Sequence, residues 1–228
     1  MGDKMKKSYY MFKLDTVFLN ALSLILIVVA GLIFYLIYGS EAGDIFSNSF
    51  DIVMLTYIPY IILHELVHSI SYVVHGASVK KITYGIHLEK GIMCCLCKQN
   101  IKKKNILFSL LSPFIYLGLV TFVIGLIFNI PVLVILSLAN ITGCTGDLVM
   151  FYHLSRLNDF EFSEYDDPIA FGLQSKKDLS KHKMFGLIYA GKKARLPRND
   201  LKKLVISKTS LLLIILYYGL MAFTMLMK

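Results

Sequence analysis

Ile58-Pro59-Tyr60-Ile61-Ile62-Leu63-His64-Glu65-Leu66-Val67-His68-Ser69-Ile70-Ser71-Tyr72-Val73-Val74 is an apolar run broken by three ionisable side chains within five residues. The whole segment, about 52–75, is long enough as a helix to cross a hydrocarbon core of roughly 30 Å. Ionisable groups inside such a helix are costly and mark function by default. Here they form His-Glu-x-x-His. Residues four apart share one helix face, so His64 and His68 can reach the same metal ion. Glu65 lies about 100° round the helix, close enough to meet a water beside that metal.

A catalytic zinc usually takes three protein ligands and a water. The other buried acid is Asp147, in Asn140-Ile141-Thr142-Gly143-Cys144-Thr145-Gly146-Asp147. Depth supports its choice as the third metal ligand. His64 and His68 lie roughly 18–24 Å from the outer end of their helix, and Asp147 roughly 24 Å from Pro131, at 1.5 Å per residue. Both helices run inward, so the three side chains reach one level. Gly143 and Gly146 are expected to let the two helices approach closely. Asn140 precedes Asp147 by seven residues on the same face. It is a candidate for the substrate backbone or oxyanion, or for a purely interhelical hydrogen bond. His75 reads as an interfacial residue rather than a ligand.

Outward from this segment, Val17 to Tyr38 carries no charge and reads as a retained first helix, too long for a signal-peptide core. Asn105 to Gly146 is also uncharged, and Asn129-Ile130-Pro131 splits it into a helical hairpin. Leu211 to Met227 supplies a last apolar run. The expectation is an all-α polytopic membrane protein forming a single membrane domain over 1–228. About five transmembrane helices are expected near 17–38, 52–75, 106–128, 131–152 and 209–227. A small cytoplasmic β-hairpin (about 77–104) and a cytoplasmic segment (about 153–208) would connect them.

The 228 residues are 56% hydrophobic and only 17% charged, which excludes a disordered chain and argues against an ordinary soluble domain. The formal net charge is +9. The cations stand between uncharged stretches, which points to a lipid surface and not to nucleic acid. With the N-terminus cytoplasmic, every Lys and Arg except Lys228 falls on the inner side, as the positive-inside rule requires. The expected location is a cell membrane, multi-pass, with the C-terminus outside. No feature of the sequence specifies an oligomeric state.

Between the second and third helices, Ile82, Tyr84, Ile86 and Leu88 alternate with Thr83, Gly85 and His87, the period of a strand. Glu89-Lys90-Gly91 offers a turn and Ile92 to Cys97 a return strand. The hairpin either pairs its edge with an unwound substrate or caps the helices. The four cysteines, three of them crowded at Cys94, Cys95 and Cys97, are too few and too bunched for a disulfide framework. The crowded three read as reduced thiols or, with His87, as a second soft-metal site. In 153–208 an acidic part gives way to a basic one, expected to lie solvated against anionic headgroups.

The whole arrangement resembles the bacterial zincin membrane peptidases, relatives of the site-2 intramembrane proteases. The likeness covers roughly 55–175. It rests on His64-Glu65-Leu66-Val67-His68, Gly76-Ala77-Ser78-Val79-Lys80-Lys81-Ile82-Thr83-Tyr84-Gly85, Ser112-Pro113, Gly146-Asp147 and Asp166-Asp167-Pro168-Ile169-Ala170-Phe171-Gly172. It implies zinc held by His64, His68 and Asp147, with Glu65 as the catalytic acid/base. The implied substrate is a single-span or membrane-associated peptide. Thr-Gly-Asp-Leu stands where the better-known relatives often carry Asn-Pro-Asp-Gly. Two other classes fit the same residues: a non-catalytic, immunity-type membrane partner with a structural metal site, and a proton- or ion-handling protein using the ionisable groups as a relay.

Overall fold

The computed structural model describes residues 8–87, 92–158, 160–164, 170–180, 184–193, 204–206 and 208–226. Asp15 starts the first helix: its Oδ1 accepts the Phe18 N–H at 3.1 Å, satisfying one of the amides that a helix start leaves open. Helix α1 then runs over Thr16–Tyr38. Gly39, at φ 58, ends it, in a backbone region that glycine enters without steric cost. A single 3-10 turn, Gly39–Glu41, leads into α2, Ala42–Val74. The chain reverses here, because Asn20 and Ser23 of α1 line one cavity with His64 and His68 of α2.

A second helical pair packs beside the first. It rises through α3 (Lys103–Pro113), a π-helical stretch (Phe114–Val120) and α4 (Thr121–Ile127). It returns through α5 (Pro131–Gly143) and α6 (Thr145–Arg156), which meet at a 48° bend. Pro131 sits in the first turn of α5, where its missing N–H leaves no helical bond unmade. Where the two arms of this second pair meet, Gly125 lies against Val134: a Cβ there would lie 2.9 Å from Val134 Cγ2. Helix α7, Lys208–Leu226, packs on α2, with the Tyr217 hydroxyl donating to the Met54 carbonyl.

Strands collect at the opposite end. β1 (Ser8–Leu14) precedes α1; β2 (Ile82–His87), β3 (Ile92–Cys97) and β4 (Ile101–Lys102) join α2 to α3. β5 (Phe160–Glu164), β6 (Ala170–Ser175), β7 (Leu187–Lys193) and β8 (Leu204–Ile206) join α6 to α7. They form an antiparallel five-stranded sheet, ordered β4-β5-β6-β1-β7, and a three-stranded sheet, ordered β3-β2-β8. Tyr10, Phe12, Phe162, Phe171 and Leu173 bury against Leu110, Val149 and Leu154 at the helix ends. Each such side chain contributes about 1.5–3 kcal/mol when taken from water. Lys103 Nζ ties the two arms of the second pair together there, donating to the Ser155 carbonyl at 2.8 Å at the end of α6.

The expectation of an all-α bundle with about five spans is overturned. The residues before α1 and the segment after α6 supply most of a five-stranded sheet instead of a basic flank and a solvated tail. Residues 42–51, expected in an outer loop, are the first turns of α2. Among the described residues, two helical stretches are long and apolar enough to cross a membrane, Thr16–Val74 and Lys103–Ile127, or three if the bent α5–α6 pair counts as one. Thr209–Ala222 is a shorter apolar helix. The expected hairpin strands β2 and β3 pair with each other, Tyr84 opposite Cys95. The turn at 89–91 and the Asp166-Asp167-Pro168-Ile169 motif lie outside the described residues.

Candidate metal centre

His64 and His68 project one turn apart from α2, their ring centroids 5.0 Å apart. Asp147 comes from the first turn of α6, which begins anew after the Cys144 break. A carboxylate is favoured there by the positive end of the helix dipole. Its Oδ2 lies 3.3 Å from His64 Nε2 and 3.4 Å from His68 Nε2. One ligand atom from each of the three residues fits within 4.8 Å of the others. The structure thus brings together the three side chains singled out from the sequence.

The outer nitrogens explain the orientation of the inner ones. The His68 Nδ1 lies 2.9 Å from the Ser109 carbonyl, which can only accept, so Nδ1 carries the proton. That carbonyl is free of its helical partner because residue 113, four positions on, is proline and has no N–H. The Ser112 hydroxyl also donates to it, at 2.8 Å. His64 Nδ1 lies 2.8 Å from Asn140 Oδ1. The Asn140 amide is oriented by the Pro113 carbonyl, to which Nδ2 donates at 3.0 Å, so Oδ1 must face the imidazole and accept its N–H. Both histidines are therefore in the tautomer that leaves Nε2 with a lone pair. Two such lone pairs and a carboxylate oxygen converge on one point, a donor set suited to zinc, with the outer-shell carbonyls typical of metal-binding histidines.

Asn140 is 6% exposed, and both ends of its amide are committed within the protein. Gly143 and Gly146 do not serve close helix packing as expected. A Cβ on Gly143 would meet nothing within 4 Å, and one on Gly146 only Leu19 Cδ1, at 4.0 Å; both residues line the cavity. A tight approach occurs instead between the π-helical stretch and α5, where a Cβ on Gly118 would lie 2.8 Å from Ile141 Cγ1.

Glu65 is buried beside the cluster and accepts from the Cys95 backbone N–H of β3. Ser69, one turn on, donates to the Glu65 carbonyl at 3.0 Å and lies 2.5 Å from the Tyr84 hydroxyl and 3.1 Å from Cys95 Sγ. This network clamps the β2–β3 hairpin against the helix face that carries the site. A cavity of about 280 Å³ opens over His64, Glu65, His68 and Asp147, walled by α1 on one side and by Met93–Leu96 of β3 on another.

His75 caps α2, its Nδ1 2.7 Å from the Ser71 carbonyl, away from the cluster. Cys94, Cys95, Cys97 and Cys144 are thiols and form no disulfide. Among the described residues the only metal-capable group is His64, His68 and Asp147. The His87 side chain lies outside the described residues.

The sequence missed two contributors. The Ser109 carbonyl was signalled only by the proline four residues later. The α1 wall carries its signal in Thr16, Asn20 and Ser23, polar residues on one face of an otherwise apolar helix.

Two imidazoles one turn apart, a carboxylate across from them and a glutamate beside them form a metal-capable donor set with an acid/base candidate next to it. Residues 57–159 match a protein-family model described as "Putative zincin peptidase", so the resemblance to that family read from the sequence holds over this segment. The match supports a zinc-dependent peptidase in general terms. It contains all four ionisable residues of the site and leaves out α1, the five-stranded sheet apart from β4, and α7. No curated protein and no solved structure matches the chain.

Proposed function

We propose that the chain is a membrane zinc peptidase that hydrolyses a peptide bond of a membrane-associated substrate. The observation that carries this reading is the paired tautomer control: Asn140 and the Ser109 carbonyl hold both Nδ1–H groups, turning both Nε2 atoms toward Asp147. His64, His68 and Asp147 would hold the zinc, which supplies a Lewis acid that activates water and polarises a carbonyl. Glu65 acts as the acid/base, taking a proton from the attacking water and returning it to the leaving amine. Its hydrogen bond from Cys95 N–H holds the carboxylate at the cavity wall. Asn140 acts through His64 as a positioning residue.

β3 is an edge strand among the described residues, and its residues 93–96 line the cavity. It offers backbone groups to a substrate that has been unwound into an extended form, so that main-chain pairing presents the scissile bond to the site. The membrane setting is supported by the two long apolar stretches, whose residues are largely unburied within the protein. All strands adjoin the same helix ends, where the Lys and Arg residues concentrate. That end is read as cytoplasmic, with the N-terminus inside and the C-terminus outside.

Co-expression with single-span test substrates, followed by zinc analysis of the purified protein, tests the reading. Stoichiometric zinc with cleavage lost in Glu65→Gln supports it. Zinc with cleavage unaffected by Glu65→Gln points to a structural metal, and a protein that binds no zinc points to a proton relay.

A further inference from the structure

We propose that Asn20 of α1 binds the backbone of the extended substrate from the side opposite β3. The inference rests on the peptidase reading above and extends it to a helix outside the family match.

Thr16, Asn20 and Ser23 fall on one face of α1, at spacings of four and three residues. All three line the cavity that holds His64, Glu65, His68 and Asp147, as does Leu19 between them. Ser23 is already engaged: its Oγ lies 2.9 Å from Thr145 Oγ1 and ties α1 to the start of α6. Asn20 is exposed and, among the described residues, has no hydrogen-bond partner. A free carboxamide within a strongly apolar helix is costly facing lipid and is accommodated facing a wet cavity.

An extended peptide directs successive N–H and C=O groups alternately to its two edges. If one edge pairs with β3, the other is left with unpaired backbone groups inside a restricted, partly apolar cleft, where each costs free energy. The Asn20 carboxamide offers a donor and an acceptor together, matching a peptide N–H and C=O. β3 and α1 then clasp the substrate, with the metal ligands and Glu65 between them.

The test uses the purified full-length, zinc-loaded protein in detergent and two ligands. Acetohydroxamate carries a chelating group without a peptide backbone; a peptidyl hydroxamate carries the same group on an extended backbone. Asn20→Ala is expected to weaken the peptidyl hydroxamate by roughly two- to tenfold, the range of one net hydrogen bond. Acetohydroxamate affinity and zinc content should not change, and Asn20→Gln should recover part of the loss. Equal affinity of Asn20→Ala and the parent for the peptidyl ligand overturns the inference and leaves the peptidase reading standing. So does a parallel loss for both ligands, which would mean that Asn20 acts on the metal site itself. A parent protein that binds neither hydroxamate overturns the peptidase reading, and this inference with it.

Discussion

Ser109 and Pro113 stand four residues apart in α3, and the proline leaves the Ser109 carbonyl without its helical donor; His68 Nδ1–H takes that place at 2.9 Å. A defect in one helix therefore orients a metal ligand on its neighbour. Pro113→Ala would supply an N–H to the Ser109 carbonyl and set it in competition with His68. Zinc affinity, measured by chelator competition, is expected to fall roughly tenfold or more, the usual effect of disturbing an outer-shell partner.

Asn140→Leu removes the acceptor of His64 Nδ1–H and the donor to the Pro113 carbonyl in a single change. The His64 Nδ1–H then has no acceptor inside the protein, at a cost of about 1–3 kcal/mol. Denaturant unfolding in detergent should show this loss even after zinc has been stripped. A variant as stable as the parent would mean that these bonds do not orient the ring.

Glu65→Gln preserves the size of the side chain and removes its basicity. Zinc content should be retained while turnover falls by roughly 10²–10⁴-fold, the usual contribution of a general acid/base. Turnover at the parent rate would remove Glu65 from that role.

Two glycines separate packing from openness. Gly125→Ala places a Cβ 2.9 Å from Val134 Cγ2 and 3.1 Å from the Val134 backbone nitrogen, so the helices must part. A cost of about 1–3 kcal/mol follows, read as a lowered melting temperature. Gly143→Ala meets nothing within 4 Å and should leave the melting temperature unchanged or raise it.

The metal cluster was legible because two regularities sufficed. Four-residue spacing puts His64 beside His68, and the fixed rise per residue brings Asp147 to their depth. The β2–β3 hairpin was legible in the alternation from Ile82 to Leu88. The large sheet was not. β1, residues 8–14, reads as a lysine-flanked lead-in to a hydrophobic helix, although Tyr10 and Phe12 are among its buried residues. Its partners β6 and β7 lie more than 150 residues away, and β5 and β6 are five- and six-residue strands with no local signal to join them to it. The start of α2 was hidden differently, since Asp44, Ser47, Asn48, Ser49 and Asp51 look like an outer loop yet fall within its first turns.

Zinc K-edge absorption spectroscopy on the purified protein probes the ligand set most directly. One zinc per chain is expected, with only nitrogen and oxygen neighbours at about 2.0–2.2 Å, imidazole scattering from two histidines, and loss of the metal in Asp147→Ala. A sulfur shell at about 2.3 Å would instead assign the metal to the cysteines, and zinc retained unchanged in Asp147→Ala would contradict the His64–His68–Asp147 centre.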